Sequence, residues 1–433
     1  MGALRRAGLA LLMATMALGA SAATPPEQVA TQLLDHLQAG DGDAAVAMFT
    51  PEMAKAAPAP ALLAIWRAFG EPRSRGEAQV VSTSHPPDVV TQSLQFASGS
   101  VAATVVVDAQ GRIAGLLFKP AEPAAAPPVP ADARYAEVPL DVVTATGALP
   151  GLLTRPRDAS SPLRAVVLVH GSGPQDRDET IGANRPFLDV ARGLAAHGIA
   201  VLRYDKRTRV RPQDFSGQAY TMDDETTHDA VAAVATLAAQ AGIDPRHVYV
   251  MGHSQGGMLA PRIAQASGKV AGLVLWAAPA RSLLTLLPEQ NRYLLGLDGQ
   301  ITPDEQAFLE TLDRQIAAAR SDAPVDAADL PLRLPATYWR AFDAIDPVAD
   351  ARASPLPMLL LQGGRDFQVT DTDWQLWQRG LSRRRDASFH HYPALNHLGI
   401  AGEGPGSLQE YQQPGHVLPA LIDDVAAWVE AQP

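Results

Sequence analysis

Apolar and polar positions follow two different rhythms, and the change between them divides the chain. Between residues 27 and 120 the rhythm is mixed. Helical spacing of apolar positions in 29–37, 44–49 and 62–69 predicts three short helices. Residues 101–107 and 113–118 read as strands joined by a turn at Asp108-Ala109-Gln110-Gly111. Three helices followed by a hairpin predict a small, cone-shaped α+β module. Residues 121–133, rich in Pro and Ala, predict a stiff extended linker. From Tyr135 onward the rhythm is α/β. Residues 138–144 and 151–155 are expected to open as antiparallel strands. Continuous apolar runs follow at 165–169, 200–204, 247–251, 272–276 and 358–361, with a weaker one at 388–392. Helical stretches such as 187–197 and 227–241 lie between them. Unalternating strands separated by helices predict a parallel sheet covered on both faces.

The spacing breaks between Trp276 and Met358, where a short crossover would suffice. The intervening pattern is helical, as in 303–320. It predicts a cap inserted at about residues 280–345, over the C-terminal edge of the sheet where open α/β folds bind ligands.

Composition narrows the classes. The chain has 433 residues, enough for more than one domain, and 47% are apolar. A net charge of −11 argues against a nucleic-acid partner, whose phosphates it would repel. The absence of Cys excludes disulfides, thiol catalysis and Cys-ligated zinc. Arg5 and Arg6, the apolar run 7–19 and Ala20-Ser21-Ala22 read as an export signal over residues 1–22. The mature chain is then expected to begin near Ala23, without a lipid anchor, in the periplasm or outside the cell. No other stretch reads as a membrane span.

The candidate chemistry starts where an apolar run meets Gly252-His253-Ser254-Gln255-Gly256. This G-x-S-x-G pattern describes a sharp strand-to-helix turn carrying an exposed serine nucleophile, here Ser254. A serine hydroxyl needs a base, and the base needs a group that fixes its tautomer. Asp366, after the run 358–361 and Gly363-Gly364, is the candidate acid. His397 is the candidate base, with His416 as its rival. His390 and His391 sit inside a strand pattern and read as packing or surface residues. A tetrahedral intermediate also needs backbone donors. Gln255 N–H supplies one at its helix start. The loop His170-Gly171-Ser172-Gly173 supplies the other, from Ser172 with Gly171 next in line. His170 reads as structural, hydrogen-bonded within that loop. The charged runs 176–179 and 204–207 read as buried ion-pair scaffolding. No motif implies a metal or an organic cofactor, so none is expected.

The segments 170–178, 203–207, 252–257, 362–366 and Asn396-His397 together resemble the α/β-hydrolase superfamily. More closely, they resemble exported bacterial esterases of the dienelactone-hydrolase-like and serine-aminopeptidase-like group, over residues 135–428. The resemblance implies an eight-stranded, mostly parallel core and hydrolysis of short acyl esters through an acyl-enzyme on Ser254. The substrate is then a small-molecule ester. The chain departs from true dienelactone hydrolases, whose nucleophile is Cys, and it lacks the HGGG loop of hormone-sensitive-lipase-type esterases. The N-terminal module resembles a domain of unknown function with an NTF2-like cone, a candidate for pairing two subunits. A peptidase on the same triad is the alternative, with Glu289, Asp304 or Glu305 meeting a substrate amine. Leu294, Leu295, Tyr338, Trp339 and Phe342 are candidates for an apolar pocket or for the cap's own core.

Overall fold

The computed structural model describes residues 24–433, apart from 71, 83–86, 97–98, 121–125, 159–161 and 217–218. The expected export signal and the first part of the expected linker therefore lie outside the described residues. The chain divides into two compact units, one ending at residue 122 and one starting at 123.

In the first unit, helix Pro26–Gln38 buries Val29, Leu33, Leu34 and Leu37, which its apolar spacing places on one face. Helices Gly42–Ala47, Pro51–Ala56 and Ala59–Ala68 follow, then a five-stranded antiparallel sheet. The sheet holds the expected hairpin, Gly99–Val107 with Ile113–Pro120. It also holds three strands that the apolar pattern did not single out, Pro72–Arg75, Gln79–Ser82 and Asp88–Phe96. The last of these was obscured by Gln92, a polar residue at an inward position. Gln92 is buried and donates from Nε2 to the Gly76 carbonyl at 2.8 Å. Trp66 closes the core edge-on against Phe96, with ring centroids 5.1 Å apart.

The second unit is built on eight strands. β1 is Tyr135–Pro139, β2 Gly151–Pro156, β3 Leu163–Val169, β4 Ala200–Tyr204, β5 Ile243–His253, β6 Gly272–Trp276, β7 Met358–Gly363 and β8 Ala387–Tyr392. Their spatial order is β1-β2-β4-β3-β5-β6-β7-β8. β2 runs antiparallel to both neighbours, and β4 through β8 with β3 are parallel. The opening segment is broken after Pro139. Val142–Thr144 leaves the large sheet and pairs with Gly147–Leu149 instead.

Both faces of the parallel strands are covered, which is why they read as unbroken apolar runs. Ala165, Val167 and Val169 of β3 point to one side, with α2 (His228–Ala238) and α3 (Gln255–Ser267). Val166 and Leu168 point to the other side, with α1 (Pro186–Ala196) and α9 (Pro419–Ala431). Between β6 and β7 the chain forms α4 (Leu283–Leu295), α5 (Pro303–Arg320), α6 (Ala336–Asp343) and α7 (Pro347–Ala353). α8, Asp371–Gly380, joins β7 to β8.

Trp339 and Phe342 of α6 are buried in the same apolar cluster as the sheet, so they are core rather than pocket wall. Leu294 of α4 instead packs, half-buried, against Phe367, Leu398 and Tyr411 beside the loops after β7 and β8. Tyr293 stacks on Phe367 with rings 7° from parallel. Gln290 donates to the Gln368 carbonyl at 2.9 Å. The insertion is thus fastened to the C-terminal edge of the sheet by specific contacts. Among the described residues, no helix is long and apolar enough to cross a membrane.

Candidate active site

β5 ends at His253, and α3 begins at Gln255. Ser254 alone makes the turn, with φ 52° and ψ −120°, a left-handed conformation that is costly for a residue with a Cβ. Two glycines allow it. A Cβ on Gly252 would lie 2.1 Å from the Gly256 carbonyl oxygen, and one on Gly256 would lie 2.2 Å from that of Val169. Helix and strands therefore touch backbone to backbone. Ser254 N–H donates to the Trp276 carbonyl at 2.9 Å, locking the turn to β6. The Ser254 side chain is left partly exposed at the head of α3. Gln255 N–H, at the first helical position, has no acceptor within the helix.

The loop after β7 carries Asp366, whose side chain is fully buried. Its Oδ1 accepts N–H bonds from Gln368 at 2.8 Å and Val369 at 2.9 Å. Its Oδ2 accepts from Gln362 Nε2 at 3.3 Å and lies 2.7 Å from His397 Nδ1. A carboxylate only accepts, so Nδ1 carries the proton and Nε2 of a neutral His397 offers a lone pair. The loop holding His397 is itself shaped by Asn396. Its Oδ1 accepts from Leu398 N–H at 3.0 Å and Ile400 N–H at 3.2 Å.

The two halves meet through His253. Its Nε2 donates to the His397 carbonyl at 2.9 Å, and the two rings lie 4.7 Å apart. On its other side, Nδ1 lies 2.8 Å from Glu179 Oε2. The carbonyl contact requires a proton on Nε2, whereas the Glu179 contact is an ion-pair approach without the alignment of a hydrogen bond. Burial alone would push the His253 pKa down, but Glu179 and the His397 carbonyl outweigh it and hold the value above the ordinary imidazole range. Burial would likewise raise Glu179, and His253 reverses that and lowers it.

Glu179 also accepts the Gly171 N–H at 2.6 Å. That donor, second in line for the oxyanion, is already taken by a buried carboxylate. Ser172 N–H has no acceptor among the described residues. His170 does not behave as expected. Its Nε2 is buried with no partner among the described residues. The ring is instead packed between Phe187, at 5.1 Å, and Tyr204, at 5.2 Å. Burial pushes its pKa down to about 4, so it is neutral near pH 7.

The charged runs form ion pairs. Arg177 grips Asp205 through two bonds, Arg203 pairs with Asp178 and Glu137, and Arg207 pairs with Asp229. Lys206 is buried and pairs with Glu225 at 2.8 Å. Glu225 went unnoticed in the sequence. It lies in Asp223–Thr227, a wide helical turn in which Glu225, Thr226 and Thr227 are all buried in succession. No simple helical period marks such a turn.

The rival His416 and the strand residues His390 and His391 lie elsewhere. His416 is exposed beside Asp189, His390 pairs with Asp424, and His391 pairs with Asp371. The three acidic candidates for a substrate amine in the insertion lie as follows. Glu289 is bonded to Arg281, Glu305 closes the capping box of α5, and Asp304 is exposed.

A fold of this order, with a strained serine between β5 and α3 and an Asp–His pair after β7 and β8, defines a class. The Alpha/beta hydrolase family matches residues 166–405, and the chain belongs to it. A second match, to a protein family of unknown function (DUF3887), covers residues 30–116 in the first unit. The chain is 36% identical over 430 residues to esterase EstD of Thermotoga maritima, spanning 97% of this chain and 98% of that protein. Among solved structures it is similar to the Pyrococcus furiosus esterase Pf2001, with TM-score 0.46, 16% identity, and 71% of this chain and 96% of that one covered. It is also similar to Est1E from Butyrivibrio proteoclasticus, with TM-score 0.44, 17% identity, and 68% and 98% covered.

Proposed function

We propose that this chain is a serine carboxylesterase that hydrolyses short-chain acyl esters through an acyl-enzyme on Ser254. The observation that carries the reading is the buried Asp366–His397 pair at 2.7 Å, tied by His253 to the turn that bears Ser254. Its full-length relative is an esterase. In the proposed reaction, His397 Nε2 takes the Ser254 hydroxyl proton as Oγ attacks the ester carbonyl. Asp366 keeps the proton on Nδ1 and stabilises the imidazolium that forms. Gln255 N–H and Ser172 N–H receive the oxyanion. His397 then returns its proton to the departing alcohol. Water, activated by the same base, releases the acid and restores Ser254.

The test is a p-nitrophenyl ester ladder from acetate to laurate, with the mature chain and with Ser254→Ala. Activity should peak at short chains and fall at least about 10⁴-fold in the variant, with folding intact. Full activity in Ser254→Ala overturns the reading. The proposal extends to location: residues 1–22 serve as an export signal. N-terminal sequencing of the exported protein should begin at Ala23.

A further inference from the structure

The amide between Gly171 and Ser172 is gripped from its carbonyl side by a buried cation. Lys206 Nζ donates to the Gly171 oxygen at 2.9 Å, and Lys206 is 2% exposed. A peptide unit is planar, with its C=O and N–H pointing in opposite directions. Fixing the Gly171 oxygen therefore fixes the direction of Ser172 N–H. Drawing electron density toward that oxygen also makes the N–H a stronger donor, because the amide is conjugated. Glu179 holds the preceding N–H, so the Gly171 residue has a buried charge on each side.

Lys206 is held in turn. Its ammonium lies 2.8 Å from Glu225 Oε1. Glu225 Oε2 accepts from Tyr338 O–H at 2.8 Å, and Tyr338 belongs to α6 of the insertion. The same oxygen lies 3.4 Å from Gln255 Nε2. Glu225 thus touches the residue that bears one proposed oxyanion donor, and through Lys206 it reaches the amide that bears the other.

We infer that Lys206 is a positioning residue of the oxyanion site, and that Glu225 and Tyr338 transmit the seating of the insertion to the Gly171–Ser172 amide. This rests on the proposal that Ser172 N–H receives the oxyanion. Lys206 is 2% exposed, and its ammonium is held by the Gly171 carbonyl and Glu225, not by Ser254, among the described residues. Its contribution is therefore felt where negative charge develops, not where the ester first binds. A purely structural ion pair would leave that distinction unmarked.

The experiment uses the mature full-length chain and a p-nitrophenyl butyrate assay. It adds inhibition by an alkyl trifluoromethyl ketone, which forms a tetrahedral oxyanion on a serine. Lys206→Met strands Glu225, so the double variant Lys206→Met/Glu225→Gln is measured beside it, and Tyr338→Phe removes the hydrogen bond between Glu225 and the insertion. In both Lys206 variants kcat should fall about 10²-fold, the range for one oxyanion donor, with KM within about twofold. Ketone affinity should weaken in proportion to kcat. Tyr338→Phe should show the same split at about tenfold. An unchanged kcat in the double variant, or a fall in kcat with ketone affinity unchanged, overturns the inference. Failure of the underlying reading shows separately. Wild-type enzyme would then not be labelled at Ser254 by a fluorophosphonate, whatever the Lys206 variants do.

Discussion

His253 Nε2 donates to the backbone carbonyl of His397 at 2.9 Å, so the residue before the proposed nucleophile holds the proposed base in place. The imidazole lies between the Glu179 carboxylate and that carbonyl. His253→Leu removes the tether and leaves Glu179 buried without its partner. It should cost about 3–5 kcal/mol of stability by urea denaturation. Adding Glu179→Gln should restore part of that loss but not the esterase activity. The pH dependence has a definite sign. The raised His253 value contributes stability that is fully present below the unfolded imidazole value. That stability is lost as pH rises through the higher folded value. The lowered Glu179 value contributes above the unfolded carboxyl range and is lost on acidification. The urea midpoint of wild type should therefore drop as pH rises above the ordinary imidazole range, and the drop should flatten in His253→Leu/Glu179→Gln.

His170 acts at the opposite end of the pH scale. In the unfolded chain an imidazole takes up a proton near pH 6.5, whereas buried His170 resists it down to about 4. Across that window the unfolded state binds the extra proton, so stability falls as pH falls, by about 3 kcal/mol at full effect. His170→Gln should lose this acid slope between pH 6.5 and 4, read as thermal midpoints at half-unit steps. An unchanged slope would assign the acid sensitivity to other groups.

Much of the second unit was legible because its strands are buried on both faces. Runs such as Ala200–Tyr204 and Gly272–Trp276 have no polar residue to blur their ends, save Arg203, whose charge is met by Asp178 and Glu137. The first unit was less legible. Its strand Asp88–Phe96 alternates, yet Gln92 stands at a core position and breaks the apolar count. The split at Leu140 was also hidden, because Val142 and Val143 look like a continuation of β1.

The candidate site was legible where chemistry is written as local motif. Ser254 with its glycines, Asp366 after Gly363-Gly364, and Asn396-His397 each carry their own turn signal. What joins them was not legible. The tether from His253 to His397 spans 144 positions. The bond from Tyr338 to Glu225 spans 113. Nothing in either sequence neighbourhood names the partner. The run 176–179 announced buried charge, but only the packed structure shows that Glu179 uses its carboxylate on a loop amide and a histidine together.

Asp366→Asn separates orientation from charge. The amide can still accept from Gln368 and Val369 through its oxygen, so the loop should keep its shape. Its nitrogen, turned toward His397, would face Nδ1 with a donor. That favours the tautomer with the proton on Nε2, where it cannot take one from Ser254. With folding intact, kcat for p-nitrophenyl butyrate should fall about 10³- to 10⁴-fold. A loss of less than tenfold would remove Asp366 from the proposed triad.

The turn itself gives the sharpest steric prediction. An added methyl at Gly256 would sit 2.2 Å from the Val169 oxygen and 2.7 Å from the His170 oxygen, both backbone atoms of β3 and the loop after it. No side chain can move aside to make room, so α3 must shift bodily away from the sheet. That shift moves Gln255 N–H and Ser254 together, and it pushes on the loop that carries Ser172. Gly268, at the other end of α3, is the control. It has φ 62°, and a Cβ there meets nothing within 4 Å. Gly268→Ala should cost about 1 kcal/mol for its left-handed backbone and leave kcat unchanged. Gly256→Ala should cost several times as much and abolish measurable turnover. Thermal midpoints and ester kinetics on the two variants decide it. Equal behaviour of the pair would mean that the contact between α3 and β3 is slack and does not set the geometry of Ser254.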